Sequence, residues 1–120
     1  MPRQQESLKQ RLAQTRQIKI SVKGRKTGRT LSYPVWHVIE GNRLYLLPVH
    51  GSDTQWYRNL LRNPTIGISA GGVKAKLRAT PLARSSAVKA VIRKFGRKYQ
   101  PRIIRKLYFK FDVAVRVRLA

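Results

Sequence analysis

The sequence contains no cysteine and only four acidic residues, Glu6, Glu40, Asp53 and Asp112. The first absence removes disulfides, thiolate metal sites and cysteine nucleophiles. The second leaves no visible carboxylate pair for general acid–base work, and no nucleophile–base pair stands out either, so no catalytic residue is assigned. Histidine is nearly as scarce. His37 and His50 have Asp53 as their one nearby acid, too few ligands for an expected metal site. No apolar run approaches the roughly 20 residues that span a bilayer. The opening MPRQQESLKQRLAQTRQ lacks the apolar centre of a secretory signal. Internal repeats, low-complexity tracts and long linkers are also missing. These absences favour a cytoplasmic protein with one principal domain, residues 18–120, preceded by a basic segment, residues 1–17.

Positive charge, by contrast, is abundant. Twenty-seven Lys and Arg give the 120 residues a formal charge of +23. Self-repulsion on that scale works against compactness and favours polyanionic partners: nucleic acid, an anionic membrane surface or a multiply charged small ligand. Lys74, Lys76 and Arg78 alternate on one face of a segment, and Arg93, Lys94, Arg97 and Lys98 fall opposite an apolar helical stripe. Such charge presents itself to a surface, which makes peripheral attachment to the inner face of the membrane an expectation. Nucleic acid is the weaker expectation, because no helix-turn-helix, zinc-finger or RNP-type signature is present.

The apolar pattern predicts a mainly β architecture. IKISVK places Ile18, Ile20 and Val22 on one face, and TLSYPVWHVI reads as a second strand with Pro34 at a bulge or an edge. EGNR turns the chain into a third strand, LYLLPV. The period then changes. Ser52 and Gln55 have capping-box spacing, Trp56–Leu60 and Tyr57–Leu61 lie one helical turn apart, and Pro64 stops the helix. TIGISA and VKAKLRAT flank Gly71-Gly72 as a hairpin. A helix follows with Val88, Val91, Ile92, Phe95 and Tyr99 on one face, broken by Pro101, with another turn or two in RIIRKLYF. FDVAVRVRL closes the chain as a strand. Residues 4–17 can form a short helix through Leu8 and Leu12. The order is (α)-β-β-β-α-β-β-α-β with short connections. That favours an antiparallel sheet, closed or nearly so, with helices outside.

Two stretches could carry chemistry. In GRKTG, Gly24 and Gly28 allow close backbone approach, Arg25 and Lys26 supply charge, and Thr27 supplies a hydroxyl. A solvated hairpin and an anion cradle both remain open for it. In QWYRNLLRNP, Trp56 suits a core anchor, while Asn59 is an amide without an obvious cap to serve.

GRKTG at a hairpin, then YPVW, EGNRLYLL and WYRNLLRNP, together resemble the deazaflavin-dependent nitroreductase family of the flavin-binding split-barrel superfamily, over residues 18–80. The resemblance implies a split β-barrel that binds coenzyme F420, with FMN as the alternative cofactor. It also implies hydride transfer from the reduced deazaflavin to a small conjugated acceptor such as a quinone, enone or nitroaromatic, with a homodimer as one assembly. Carried over by position, Arg25, Lys26, Thr27 and Gly28 hold the phosphate and tail, and His50 and Gly51 lie along the cofactor. Trp56 and Asn59 support the head group, and Tyr33 and Trp36 line the substrate side. The chain departs from the family pattern at Leu31, where an Arg is frequent, and at Pro48 and Val49, ahead of His50.

Overall fold

A computed structural model of the chain describes residues 2–119, with side chains from residue 8 onward. Alternation sets the strands. In β1 (Gln17–Lys23), Ile18, Ile20 and Val22 are buried and their neighbours face outward. In β4 (Thr65–Ala70), Ile66, Ile68 and Ala70 turn inward in the same way. β2 (Thr30–Glu40), β3 (Arg43–Leu46), β5 (Val73–Leu82) and β6 (Ala114–Arg118) complete a closed antiparallel barrel in the order β1-β2-β3-β6-β5-β4.

Two long strands serve both halves of the barrel. β2 pairs with β1 through Thr30–Trp36 and with β3 through His37–Glu40. β5 pairs with β4 through Val73–Arg78 and with β6 through Ala79–Leu82. This is the split barrel. Pro34, which has no amide to donate, lies in the part of β2 that pairs with β1 alone.

Two apolar clusters hold the fold. The barrel interior packs Ile20, Leu44, Leu46, Ile66, Ile68, Val115 and Val117, each at most 1% exposed. Fully burying one such side chain stabilises by about 1.5–3 kcal/mol. Helix α1 (Pro2–Gln14) adds Leu8 and Leu12 to that cluster, lying against β4 and β5. The second cluster sits outside the barrel. There α3 (Ser85–Tyr99) sets Val91, Phe95 and Tyr99, and α4 (Pro101–Leu107) sets Ile104, against Val38, Tyr45, Leu47 and Ala114. One outer wall is thus covered by helices. The opposite wall, with Lys19, Lys74, Lys76 and Arg78, faces solvent.

Three local expectations are corrected. The N-terminal helix ends at Gln14, since residue 17 already belongs to β1, and the last strand begins at Ala114, not at Phe111. The capping box does not form. Helix α2 (Gln55–Arg62) has Thr54 at its N-cap, with no side-chain cap bond. Ser52 gives its hydroxyl and amide to Asp112 instead, and Gln55 accepts from Arg25. Distant partners outbid the local pattern.

Candidate functional site

The Gly24–Gly28 loop is a tight, internally bonded turn between β1 and β2. The Gly24 amide donates to the Arg29 carbonyl and the Gly28 amide to the Gly24 carbonyl, both at 2.8 Å. Thr27 Oγ1 accepts from the Arg29 amide at 3.2 Å. Gly28 has φ +73° and nothing within 4 Å of where a Cβ would sit, so its side chain is absent for the backbone's sake. Gly24 is different. Its φ is ordinary, and an added Cβ would come within 3.0 Å of Thr27 Oγ1.

Asn59 anchors this loop to α2. It is 3% exposed, and its Oδ1 accepts from both the Arg25 amide (3.1 Å) and Arg25 Nη1 (2.8 Å). Arg25 Nη2 donates to Gln55 Oε1 at 2.8 Å. The guanidinium is therefore committed to two amides on α2, one helical turn apart. Lys26 is exposed beside it. A cavity of about 250 Å³ opens between loop and helix, lined by Gly24, Arg25, Lys26, Thr27, Leu31, Tyr33, Gln55 and Asn59. Leu31, where the family pattern often has Arg, gives this cavity an apolar patch.

Five of the expected residues thus gather in one place: Arg25, Lys26, Thr27, Tyr33 and Asn59 line that cavity, with Gly28 closing the same loop. The others lie apart from it. Trp56, 5% exposed, packs into the barrel interior with Tyr57 and Leu60. Trp36 packs with the second cluster, stacked on Tyr99 at 4.4 Å between ring centroids, with the Arg16 guanidinium over both rings. Tyr33 packs with the first cluster, so the two aromatics of β2 serve opposite faces.

His50 and Gly51 belong to a polar cluster ahead of α2. The His50 ring stacks on Phe109 with centroids 5.0 Å apart, and its amide donates to Thr54 Oγ1. Gly51 has φ +55°, and a Cβ there would run into the Asp112 carboxylate and Lys110. Pro48 and Val49 have local work to do. Their carbonyls accept from the Gly51 and Phe109 amides. Lys110 and Arg58 converge on Asp53 at 3.1 and 2.9 Å. The Lys110 hydrogen bond, its charge and Arg58 together hold the Asp53 carboxyl below its ordinary value. Burial alone would raise Asp112, but the Ser52 hydroxyl and amide and the nearby Lys110 outweigh it.

The second histidine has another fate. His37 is fully buried, with Nε2 2.6 Å from the Leu12 carbonyl. Nε2 therefore carries the proton, and Nδ1 is left without a partner. Burial, partly countered by that carbonyl and reinforced by the charge of Lys98, lowers its pKa to about 4. His37 ties α1 to the barrel. Three roles do not follow from the sequence motifs: Gln55 as a partner of Arg25, Phe109 as the stacking partner of His50, and the buried His37–Tyr99 junction. Gln55 carried a usable signal, an amide one helical turn before Asn59. Phe109 carried none.

A family model described as "Uncharacterized protein conserved in bacteria (DUF2255)" matches residues 9–118. The chain belongs to that family. Comparison with curated proteins gives no significant match. Among solved structures, the chain is similar to an F420-H2 dependent reductase (FDR-A) at 18% identity and TM-score 0.67, over 86% of this chain and 94% of that one. It is similar to HutZ, the heme storage protein from Vibrio cholerae, at 19% identity and TM-score 0.70, over 94% and 87%. It also resembles a chain from a domain-swapped dimer at 18% identity and TM-score 0.68, over 86% and 80%. At these identities the similarity shows a shared fold. The DUF2255 chain shares its split barrel with proteins of differing function.

Proposed function

We propose that this chain is a reductase that uses coenzyme F420, passing a hydride to a small conjugated acceptor such as a quinone, enone or nitroaromatic. One observation carries the reading: an anion-suited loop, Gly24–Gly28, fixed by Asn59 against α2 beside a small cavity. A reductase with the same fold and the sequence motifs of GRKTG and WYRN support it. The cavity volume of about 250 Å³ suits a phosphate and a ring edge, not a whole cofactor. Of the two described cations that line the cavity, Arg25 is committed to α2 and Lys26 is left to meet the phosphate, and the Thr27 hydroxyl hydrogen is available to donate alongside it. Arg25 and Asn59 keep the loop in shape. Tyr33 and Leu31 offer the adjoining apolar wall. Bound there, the reduced deazaflavin supplies the hydride, as two electrons with one hydrogen, and the acceptor takes its remaining proton from water. A homodimer belongs to this reading, as does a peripheral place on an anionic membrane, where apolar acceptors are found.

Titrating purified protein with F420, a tail-less deazaflavin and FMN, followed by fluorescence, tests it. Lys26→Ala is expected to weaken the phosphorylated cofactor about tenfold, the scale of one charge-assisted hydrogen bond, and to leave the tail-less analogue unchanged. Arg25→Ala is expected to weaken both, because the loop loses its anchor. Equal, small effects of Lys26→Ala on both ligands would sink the cradle. Anaerobic mixing of the reduced cofactor with an acceptor panel then reads turnover, and no turnover with binding intact points to a carrier.

A further inference from the structure

The corner where α3 runs into α4 combines two features that the solvent-facing barrel wall does not. The first is exposed apolar surface: Leu107 is 46% and Phe109 71% exposed. A cleft of about 580 Å³ lies between the two helices, floored by Ile92, Gly96, Pro101, Ile104 and Phe111. The second is charge. Arg93, Arg97 and Arg105 line the same cleft, and Arg102 and Lys106 stand exposed on α4. Among the described residues, none of these five cations takes part in a salt bridge. Glu40 is engaged by Lys94, Asp53 by Arg58 and Lys110, and Asp112 by Lys110.

Three occupants can be weighed against this surface. A phosphodiester chain would use the cations and leave Leu107, Phe109 and the cleft idle. A second copy of this chain, docked face to face, would set the same five cations against one another, because a two-fold interface uses the same patch on both sides. An anionic bilayer uses both features. Lipid phosphates accept from the guanidiniums, and the exposed apolar side chains enter the boundary between headgroups and acyl chains. We propose that the α3–α4 corner is the element that docks this protein on an anionic phospholipid surface, with Leu107 and Phe109 inserted. No described helix is long and apolar enough to cross a membrane, so the contact is at the interface. The inference rests on the membrane placement given above and on none of the cofactor chemistry.

Co-sedimentation with phosphatidylglycerol–phosphatidylcholine vesicles, without cofactor, tests it. Leu107→Ser with Phe109→Ser leaves the charge unchanged and is expected to weaken binding about tenfold or more. Arg97→Gln with Arg105→Gln is expected to weaken it about 25-fold, near fivefold per cation. Lys74→Gln with Lys76→Gln, on the opposite wall, is expected to change it by less than about twofold at 0.1 M salt. All six positions lie at the surface, and circular dichroism and thermal melts check that each variant folds. Loss of binding in the lysine pair with the Leu107/Phe109 pair intact overturns the corner but keeps the membrane. Failure of the parent protein to bind anionic vesicles, or equal binding to neutral ones, overturns both. A dimer that Phe109→Ser dissolves, without lipid binding, assigns the face to a second copy. Displacement by duplex DNA at matched salt assigns it to nucleic acid.

Discussion

In the Gly24–Gly28 loop the central cation is consumed by the fold: Arg25 gives its amide and both terminal guanidinium nitrogens to Asn59 and Gln55. On α3 the division runs along the helix. Lys94 reaches Glu40 at 3.0 Å and Lys98 donates to the His37 carbonyl at 2.9 Å, while Arg93 and Arg97 have no described ion pair. Both regions are basic in sequence. In each, the cations that meet an acceptor from another element become structural, and those facing away stay available to a partner. This corrects the sequence expectation that Arg93, Lys94, Arg97 and Lys98 present one common surface.

The sharpest test of the structural side of this contrast is acid. His37 beside Lys98 has a pKa of about 4 in the fold against 6.5 ordinarily. Between those values the unfolded chain binds more protons, so stability falls as the pH drops through that window. The whole shift corresponds to about 3 kcal/mol. Urea melts at pH 7 and pH 4.5 measure it, and His37→Gln should flatten the difference. Equal pH dependence in variant and parent would show that His37 is not the group responsible.

Next in size is the loop anchor. Asn59→Ala leaves two Arg25 donors without their buried acceptor and should cost about 2 kcal/mol. Arg25→Ala should cost less, since the backbone amide at residue 25 still reaches Asn59, and the double variant should fall short of the sum, because the Nη1–Asn59 bond is lost in both. Additive losses would mean that loop and helix are not coupled.

Gly28→Ala comes third. With no neighbour in reach, its cost is the left-handed backbone alone, about 1 kcal/mol, readable in a thermal melt. A stability gain would place the residue elsewhere in φ. Smallest of all, Arg93→Ala and Arg97→Ala should each change stability by less than about 0.5 kcal/mol. A larger loss at either would erase the distinction between committed and available cations on α3.

Much of the barrel was legible because its information is local. Strict alternation in residues 18–23, the glycine pair at 71–72 and the aliphatic spacing of α3 each record a face turned to the core, and period alone reveals a face. The site was legible in part. Arg25, Lys26, Thr27, Tyr33 and Asn59 were expected together and share one cavity. Trp36 and Trp56 were expected with them, yet each packs into a core cluster, since a large aromatic surface gains most from burial. The Ser52–Gln55 cap failed because its two side chains found partners 60 and 30 residues away, which no local spacing encodes.

By itself, then, the sequence determined the strands, the helix faces, the mainly β class and the excess of cations, all properties of neighbouring residues and composition. Tertiary structure alone decided which cations are committed and which are open. It also decided that Asn59 holds a loop and that His37 is kept neutral. Each depends on a side chain meeting a group remote in the chain, and for Asn59 and His37 that meeting lies in a dry interior, where an unpartnered polar group is costly.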